Sequence, residues 1–212
     1  MQITWKGQTC FQITSQRPKN GQVVIVIDPF DSASGLRLVP SEGDILAFTG
    51  KHSAESLKAV KGEPFLIENP GEYEVKEVFI KGIPAATGKN GGEAAILAIE
   101  TEKISLCHLG QLKQKELTEE QVQKIGDVDI LLVPVGAGGS LSAEEARKII
   151  LQIEPKIVIP MYYRIPGLKI KLESVEGFLK IMGAKGAETL DKLSLKEKDL
   201  TSEETRVVLL NP

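Results

Sequence analysis

Imidazole is nearly missing from this chain: its 212 residues include two histidines, His52 and His108. A metal centre built mainly of histidine is therefore excluded on count alone. Cysteine is equally sparse, and Cys10 and Cys107 both sit in apolar, strand-like runs where a thiol behaves as a small hydrophobe. The two could pair, but two core thiols suit a reducing compartment better than a disulfide framework. Long apolar runs are absent as well. The longest, VVIVI at Val23–Ile27 and ILLVPV at Ile130–Val135, fall far short of the roughly 20 residues a membrane-spanning helix requires. There is no basic excess: the formal net charge is −3, which removes the electrostatic signature of a nucleic-acid partner. The opening MQITWKGQTCFQI has no charged segment leading into an apolar core, so no signal peptide is expected. The expectation from these absences is a soluble cytoplasmic protein with no membrane partner.

What remains is ordinary globular composition, 42% apolar and 26% charged, enough for one domain over residues 1–212. The first half is rich in strand signals. Gln2–Trp5, Cys10–Thr14 and Val23–Ile27 are short β-favouring runs, and Arg17–Gly21 reads as a hairpin connection. Asp28-Pro29 stops the third run, since proline gives no donor to a ladder, and Phe30–Gly43 reads as a loop. Phe65–Ile67, Glu72–Val75, Val78–Ile83, Ala94–Glu100 and Ile104–Leu109 are further strands, with Lys89–Gly92 as a flexible link. The second half alternates strands and helices. Thr118 opens a short helix through Ile125, and Ser142 caps the clearest one, with Ala146, Ile149, Ile150 and Ile153 on one face. Asp129–Val135 and Lys156–Met161 flank that helix as a parallel βαβ crossover. Glu173–Met182 is amphipathic, and Leu193–Leu195 and Arg206–Leu210 close the chain. The pattern predicts a mixed-sheet α/β or α+β fold.

Within this order, Asp44–Leu57 (DILAFTGKHSAESL) stands out. A buried strand ends at Thr49, a polar turn follows, and a helical patch through Leu57 and Val60 is expected next. Such strand-to-helix turns are where open α/β sheets gather ligands.

Seven segments in this order resemble the metallo-β-lactamase superfamily, in particular the branch similar to the ascorbate-phosphate lactonase and related bacterial zinc-dependent hydrolases. They are WKGQTCFQI, IDP, DILAFTGKH, NPGEYEV, ISLCHLGQL, DVDILLVPVGAGGSLSAEEA and PKIVIPMYY. The resemblance implies a four-layer αββα sandwich of two mixed sheets with helices outside, and a zinc site along one edge. It also implies a Thr-His-x-His-x-Asp-His loop, a further strand-end His, a Gly-Asp and a late Pro-Met-His. Against that pattern Gly50 stands at the first loop histidine, His52 matches the second, Ala54 replaces the aspartate and Glu55 the third histidine. Thr87 falls at the strand-end histidine, Gln111 at the aspartate of Gly-Asp, and Tyr162 at the late histidine. Zinc wants three protein donors and an open position for a bound water. Glycine, alanine and threonine supply no useful donor, an amide is a weak one, and a tyrosine would have to lose a proton held with a reference pKa of about 10.

The expectation is therefore a degenerate member of that fold, a pseudoenzyme without a metal cofactor that acts as a binding or assembly module, with homo-oligomerisation through an emptied cleft or sheet edge as one form of assembly. Its remnant pocket would comprise Gly50, His52, Glu55, Thr87, His108, Gln111 and Tyr162. The alternative is a divergent metal-dependent hydrolase of lactones or phosphoesters, with one ion on His52, Glu55 and His108. A nucleic-acid processing role rests on family analogy and runs against the charge. Asp28 reads as structural, tying its loop to backbone donors. Gly136–Ser140 lacks the lysine ending of a phosphate loop and reads as conformational. No nucleophile elbow supports a triad on Ser53 or Ser140.

Overall fold

A computed structural model describes residues 1–17, 21–86, 93–202 and 204–212. In chain order the first half gives β1 (Gln2–Gly7), β2 (Cys10–Gln16), β3 (Gln22–Ile27), β4 (Ser41–Glu42), β5 (Ile45–Ala47), β6 (Val60–Lys61), β7 (Phe65–Ile67), β8 (Gly71–Val75), β9 (Val78–Ala86) and β10 (Glu93–Thr101). The second half gives β11 (Ile104–His108), α1 (Glu119–Ile125), β12 (Ile130–Pro134), α2 (Ala143–Ile153), β13 (Ile157–Met161), α3 (Val175–Ile181), β14 (Glu188–Leu190), β15 (Leu193–Ser194) and β16 (Arg206–Leu210).

One sheet runs β15-β1-β2-β3-β5-β7 and the other β14-β16-β13-β12-β11-β10-β9-β8. Both are mixed. In the first, β1, β2, β3 and β15 pair antiparallel while β3, β5 and β7 pair parallel. In the second, β8 to β11 form an antiparallel meander and β11, β12, β13 and β16 run parallel. Alternation along the strands turns Ile3, Trp5, Ile13, Ile25 and Ile27 of the first sheet into one buried cluster with Ile80, Ile96, Leu106 and Ile130 of the second. Each large side chain fully buried there contributes about 1.5–3 kcal/mol. Two-residue turns with both central residues at positive φ close β8–β9 (Lys76, Glu77) and β10–β11 (Glu102, Lys103), the twist-matched hairpin geometry.

The α-helices among the described residues cover the eight-stranded sheet, α1 against β9, α2 against β12 and α3 against α2. Reciprocal capping boxes start α1 (Thr118 with Gln121) and α2 (Ser142 with Glu145). The outer face of the six-stranded sheet is covered differently. Val26, Leu46 and Phe48 pack there with Val60 in a small separate cluster, under the β4–β6 ribbon and a single 3₁₀ turn at Ser56–Ala59. That turn corrects the helix expected through Leu57 and Val60. Val60 leaves to pair with Ser41 in the ribbon, and Leu57 faces solvent at 37% exposure. The loop expected over Phe30–Gly43 also contains a 3₁₀ turn, Ser32–Ser34, and strand β4. The Lys89–Gly92 link lies outside the described residues. No helix among the described residues is long and apolar enough to cross a membrane.

Candidate functional site

The parallel strands β3 and β5 end side by side, and the chain beyond each turns outward over the same edge of the sandwich. Asp28, the residue after β3, takes φ +46 and its backbone N–H donates to Ala47. Its carboxylate accepts the Thr49 backbone N–H at 2.7 Å and the Thr49 hydroxyl at 2.5 Å. This clamp fixes where the Gly50–Ser53 turn begins, so Asp28 has the structural part that its sequence context predicts. Gly110 follows β11 at φ +57, and a Cβ there would lie 2.3 Å from Thr49 Oγ1. Only glycine lets the two strand ends approach so closely.

The edge encloses a cavity of about 680 Å³ whose lining includes Gln8, Asp28, Lys51, His52, Gln111 and Lys113. Gly50 is on its wall, and a Cβ placed on Gly50 would meet open space. Thus Gly50, His52 and Gln111, three of the positions singled out from sequence, share one cavity. Glu55, His108 and Tyr162 do not line it. Glu55 turns away and accepts the Ser32 backbone N–H and hydroxyl, both at 3.0 Å. His108 and Tyr162 are buried behind the wall. Tyr162, at φ +52, donates its N–H to the Gln8 carbonyl and accepts from Gly136 N–H, and burial pushes its phenol pKa up. Thr87 lies outside the described residues.

The two imidazoles are both engaged. Gly110 N–H donates to His108 Nδ1 at 3.0 Å, so the ring proton sits on Nε2 and donates to the Thr9 carbonyl at 2.8 Å. Burial pulls the His108 pKa down, against the opposing charge of Asp28, and keeps the ring neutral. Phe11 meets it edge-on at 5.7 Å. His52 stands at the rim, stacked on Phe48 with ring centroids 3.8 Å apart, and its Nε2 lies 2.9 Å from Glu68 Oε1. The His52, Glu55, His108 metal set is therefore corrected. Glu55 serves Ser32, and neither nitrogen of His108 has a lone pair to offer an ion.

Zinc does not fit the donors present. Among the described residues no group of three or more His, Cys, Asp and Glu side chains is placed to hold a metal ion. Both cysteines are free and buried, with burial raising their thiol pKa far above the usual range. Serine nucleophiles fare no better. Ser140 donates to the Leu112 carbonyl, and Ser53 pairs with Ser56 rather than with a histidine. Gly136 packs against the backbone beyond β13, where a Cβ would meet the Tyr162 carbonyl oxygen at 2.5 Å, and that close approach accounts for the glycine.

Sequence reasoning missed Gln8, Lys113 and the Glu68 partner of His52. Gln8 had one readable signal: it occupies a tight strand-to-strand turn, WKGQTCF, where φ is +51 and a residue such as glycine or asparagine is the usual choice.

The family description "Beta-lactamase superfamily domain" matches residues 2–162. A UPF0173 metal-dependent hydrolase of Methanoculleus marisnigri is 28% identical over 207 residues, covering 82% of this chain and 86% of that protein. A Thermotoga maritima structure assigned to the Zn-dependent hydrolases of the metallo-β-lactamase superfamily superposes with a TM-score of 0.81 at 34% identity, covering 99% of this chain and 97% of that one. Igni18, a metallo hydrolase of Ignicoccus hospitalis, shares the fold at a TM-score of 0.63 and 16% identity, over 100% of this chain and 95% of its own.

Proposed function

The chain belongs to the β-lactamase superfamily, and from that premise we propose that it uses the sandwich-edge cavity as a metal-free binding or assembly site rather than as a hydrolytic centre. One observation carries this reading: both ring nitrogens of His108 are engaged, by Thr9 and Gly110, and the Nε2 of His52 lies against Glu68, so the two imidazoles leave at most one nitrogen for an ion. A zinc hydrolase needs about three donors and an open position. Here the cavity offers His52 with the amides of Gln8 and Gln111 and with the carboxylates of Asp28 and Asp31, which already accept from Thr49 and from Ala33 N–H.

A second reading has its own support. The Methanoculleus relative is named a metal-dependent hydrolase, and the cavity beside His52 is open at Gly50, so a reduced metal site acting on a lactone or phosphoester is the competing function. The relatives' names weigh toward hydrolysis, and the donor set of this chain weighs against it. Metal analysis of protein purified without chelators separates the two. The binding reading expects far less than one ion per chain and an unchanged melting temperature after chelation. Near-stoichiometric zinc, manganese or iron that is lost in His52→Ala would establish the hydrolase instead.

A further inference from the structure

The eight-stranded sheet ends at β8, and the far side of that strand has no neighbour among the described residues. The two-residue turn at Lys76 and Glu77 is bracketed by the pair Val75–Val78, which sets the alternation of bonds along the hairpin. Glu72 and Glu74 thus turn their backbone N–H and C=O groups away from β9, toward the open edge. β7, the edge strand of the other sheet, lies on the same side of the sandwich. Its Phe65 meets Tyr73 of β8 edge-on at 6.2 Å and is still 47% exposed.

The outer face beside this edge is also bare. Phe79 of β9 projects from it at 52% exposure, a ridge between two hollows of about 320 and 620 Å³. Directly across from it stand Glu74 on β8 and Glu100 on β10. The cations nearby are already taken: Lys81 pairs with Glu72, Lys124 with Glu120, Lys76 with Asp44, Arg17 with Glu77 and Lys103 with Glu197. Glu74, Glu100 and Asp127, the last in the lining of the smaller hollow, have no ion-pair partner among the described residues. Charged residues on an edge strand guard it against pairing with another copy. In an antiparallel self-pairing centred on Tyr73, Glu72 of one copy would face Glu74 of the other, and like charges directly opposite repel. That guard accounts for the glutamates and works against a second copy, but it does not account for the exposed Phe65 and Phe79.

We propose that the β8 edge takes up an extended peptide segment of alternating basic and apolar residues, added as a further strand. Its backbone answers the open groups of Glu72 and Glu74. Successive side chains of a strand point to opposite faces, so its apolar residues fall on the side of Phe65 and Tyr73 and its basic ones on the side of Glu74. A lysine or arginine is long enough to cross Glu74 and lay its charge on the Phe79 ring. This surface shares no lining residue with the cavity beside His52, so the inference goes beyond the reading of that cavity and is independent of it.

The test titrates ¹⁵N-labelled protein, at constant ionic strength, with three end-blocked hexapeptides. Arg-Val-Arg-Val-Arg-Val is the probe, Glu-Val-Glu-Val-Glu-Val reverses its charge, and Arg-Pro-Arg-Pro-Arg-Pro keeps the charge but lacks the proline N–H groups a strand needs. Saturable shifts of the Glu72 and Glu74 backbone amides are expected with the first peptide, with the other two much weaker. Reversing both free carboxylates in Glu74→Lys with Glu100→Lys should weaken binding about tenfold, and Phe79→Ser about threefold. All three positions are exposed, and unchanged melting temperatures would show that the fold is kept. No saturable shift with the first peptide overturns the proposal, as does unaltered affinity in the charge-reversed variant. Equal binding of the proline peptide overturns strand addition. Concentration-dependent shifts of the same amides without any peptide would put a second copy on the edge and overturn the peptide as its occupant.

Discussion

The buried wall of the cavity and its rim hold one histidine each, and the two are used in opposite ways. His108 is fully buried, neutral and bonded through both ring nitrogens to Thr9 and Gly110. It stitches the β1–β2 turn to the end of β11. His52 lies where the side chain remains 19% exposed, one face on Phe48 and one nitrogen toward a Glu68 carboxylate that is itself 40% exposed. Burial explains the contrast. A polar ring without access to water must be satisfied by protein on every side, while a rim ring can exchange its partners with solvent. The residue that best matches a metal ligand in sequence is thus the less constrained one, and the apparently spare histidine is built into the frame.

His108→Ala is the harshest way to test that contrast. It opens a hole beside Phe11 and leaves the Gly110 N–H and the Thr9 carbonyl without partners. A loss of about 3–4 kcal/mol is expected, from the cavity and the two orphaned groups together, read as a lower urea midpoint at unchanged m-value. His108→Gln can donate to Thr9 and accept from Gly110 through its amide, and should recover a large part of that loss. Equal damage from both variants would mean that ring volume, not hydrogen bonding, is what the site needs.

Protonation tests the same residue without mutation. The folded pKa of His108 is depressed by burial, whereas the unfolded ring titrates near 6.5. The unfolded chain therefore binds more protons as pH falls, so stability is complete above about pH 6.5 and declines below it. The limiting slope for one such group is about 1.4 kcal/mol per pH unit. Between about pH 6.5 and 5 most carboxylates remain ionised and contribute little to the slope. Denaturant melts across this range should lose stability in the native chain, and this component should vanish in His108→Gln. A flat profile would show that the ring accepts a proton in place.

Much of the frame was legible in the sequence because it obeys local rules. Thr118 with Gln121 and Ser142 with Glu145 announce helix starts, and the apolar face of Ala146, Ile149 and Ile150 is buried as its spacing predicts. The six-stranded sheet was harder to read. Its parallel pairs β3–β5 and β5–β7 use strands of three residues at β5 and β7, without an α-helix in the connections, so nothing local distinguishes them from a meander. The expected helix failed at Val60 because a tertiary partner, Ser41, took that residue into a ribbon. The cavity was half legible. The turn at Gly50–Ser53 could be located as a site, but which side chains face into it depends on partners distant in sequence. Ser32 draws Glu55 away, Thr9 holds His108 in the wall, and Glu68 faces His52.

The smallest effect is expected at the rim. In His52→Ala the half-exposed pair with Glu68 disappears, and exposed pairs of this kind are worth about 0–1 kcal/mol. The stacked face on Phe48 is lost as well, a contact of about 0.5–1.5 kcal/mol. Phe48 keeps its other neighbours, Val26, Leu46 and Val60, so the ring remains covered from beneath and no buried polar group is orphaned. The sum is about 1.5 kcal/mol, less than half the loss at His108. Glu68→Gln isolates the ionic part and should cost about 0.5 kcal/mol or less. A His52→Ala loss as large as that of His108→Ala would erase the distinction between wall and rim. It would mean that the polar turn is held as rigidly as the core beneath it, with His52 as its anchor rather than a side chain free to meet a ligand.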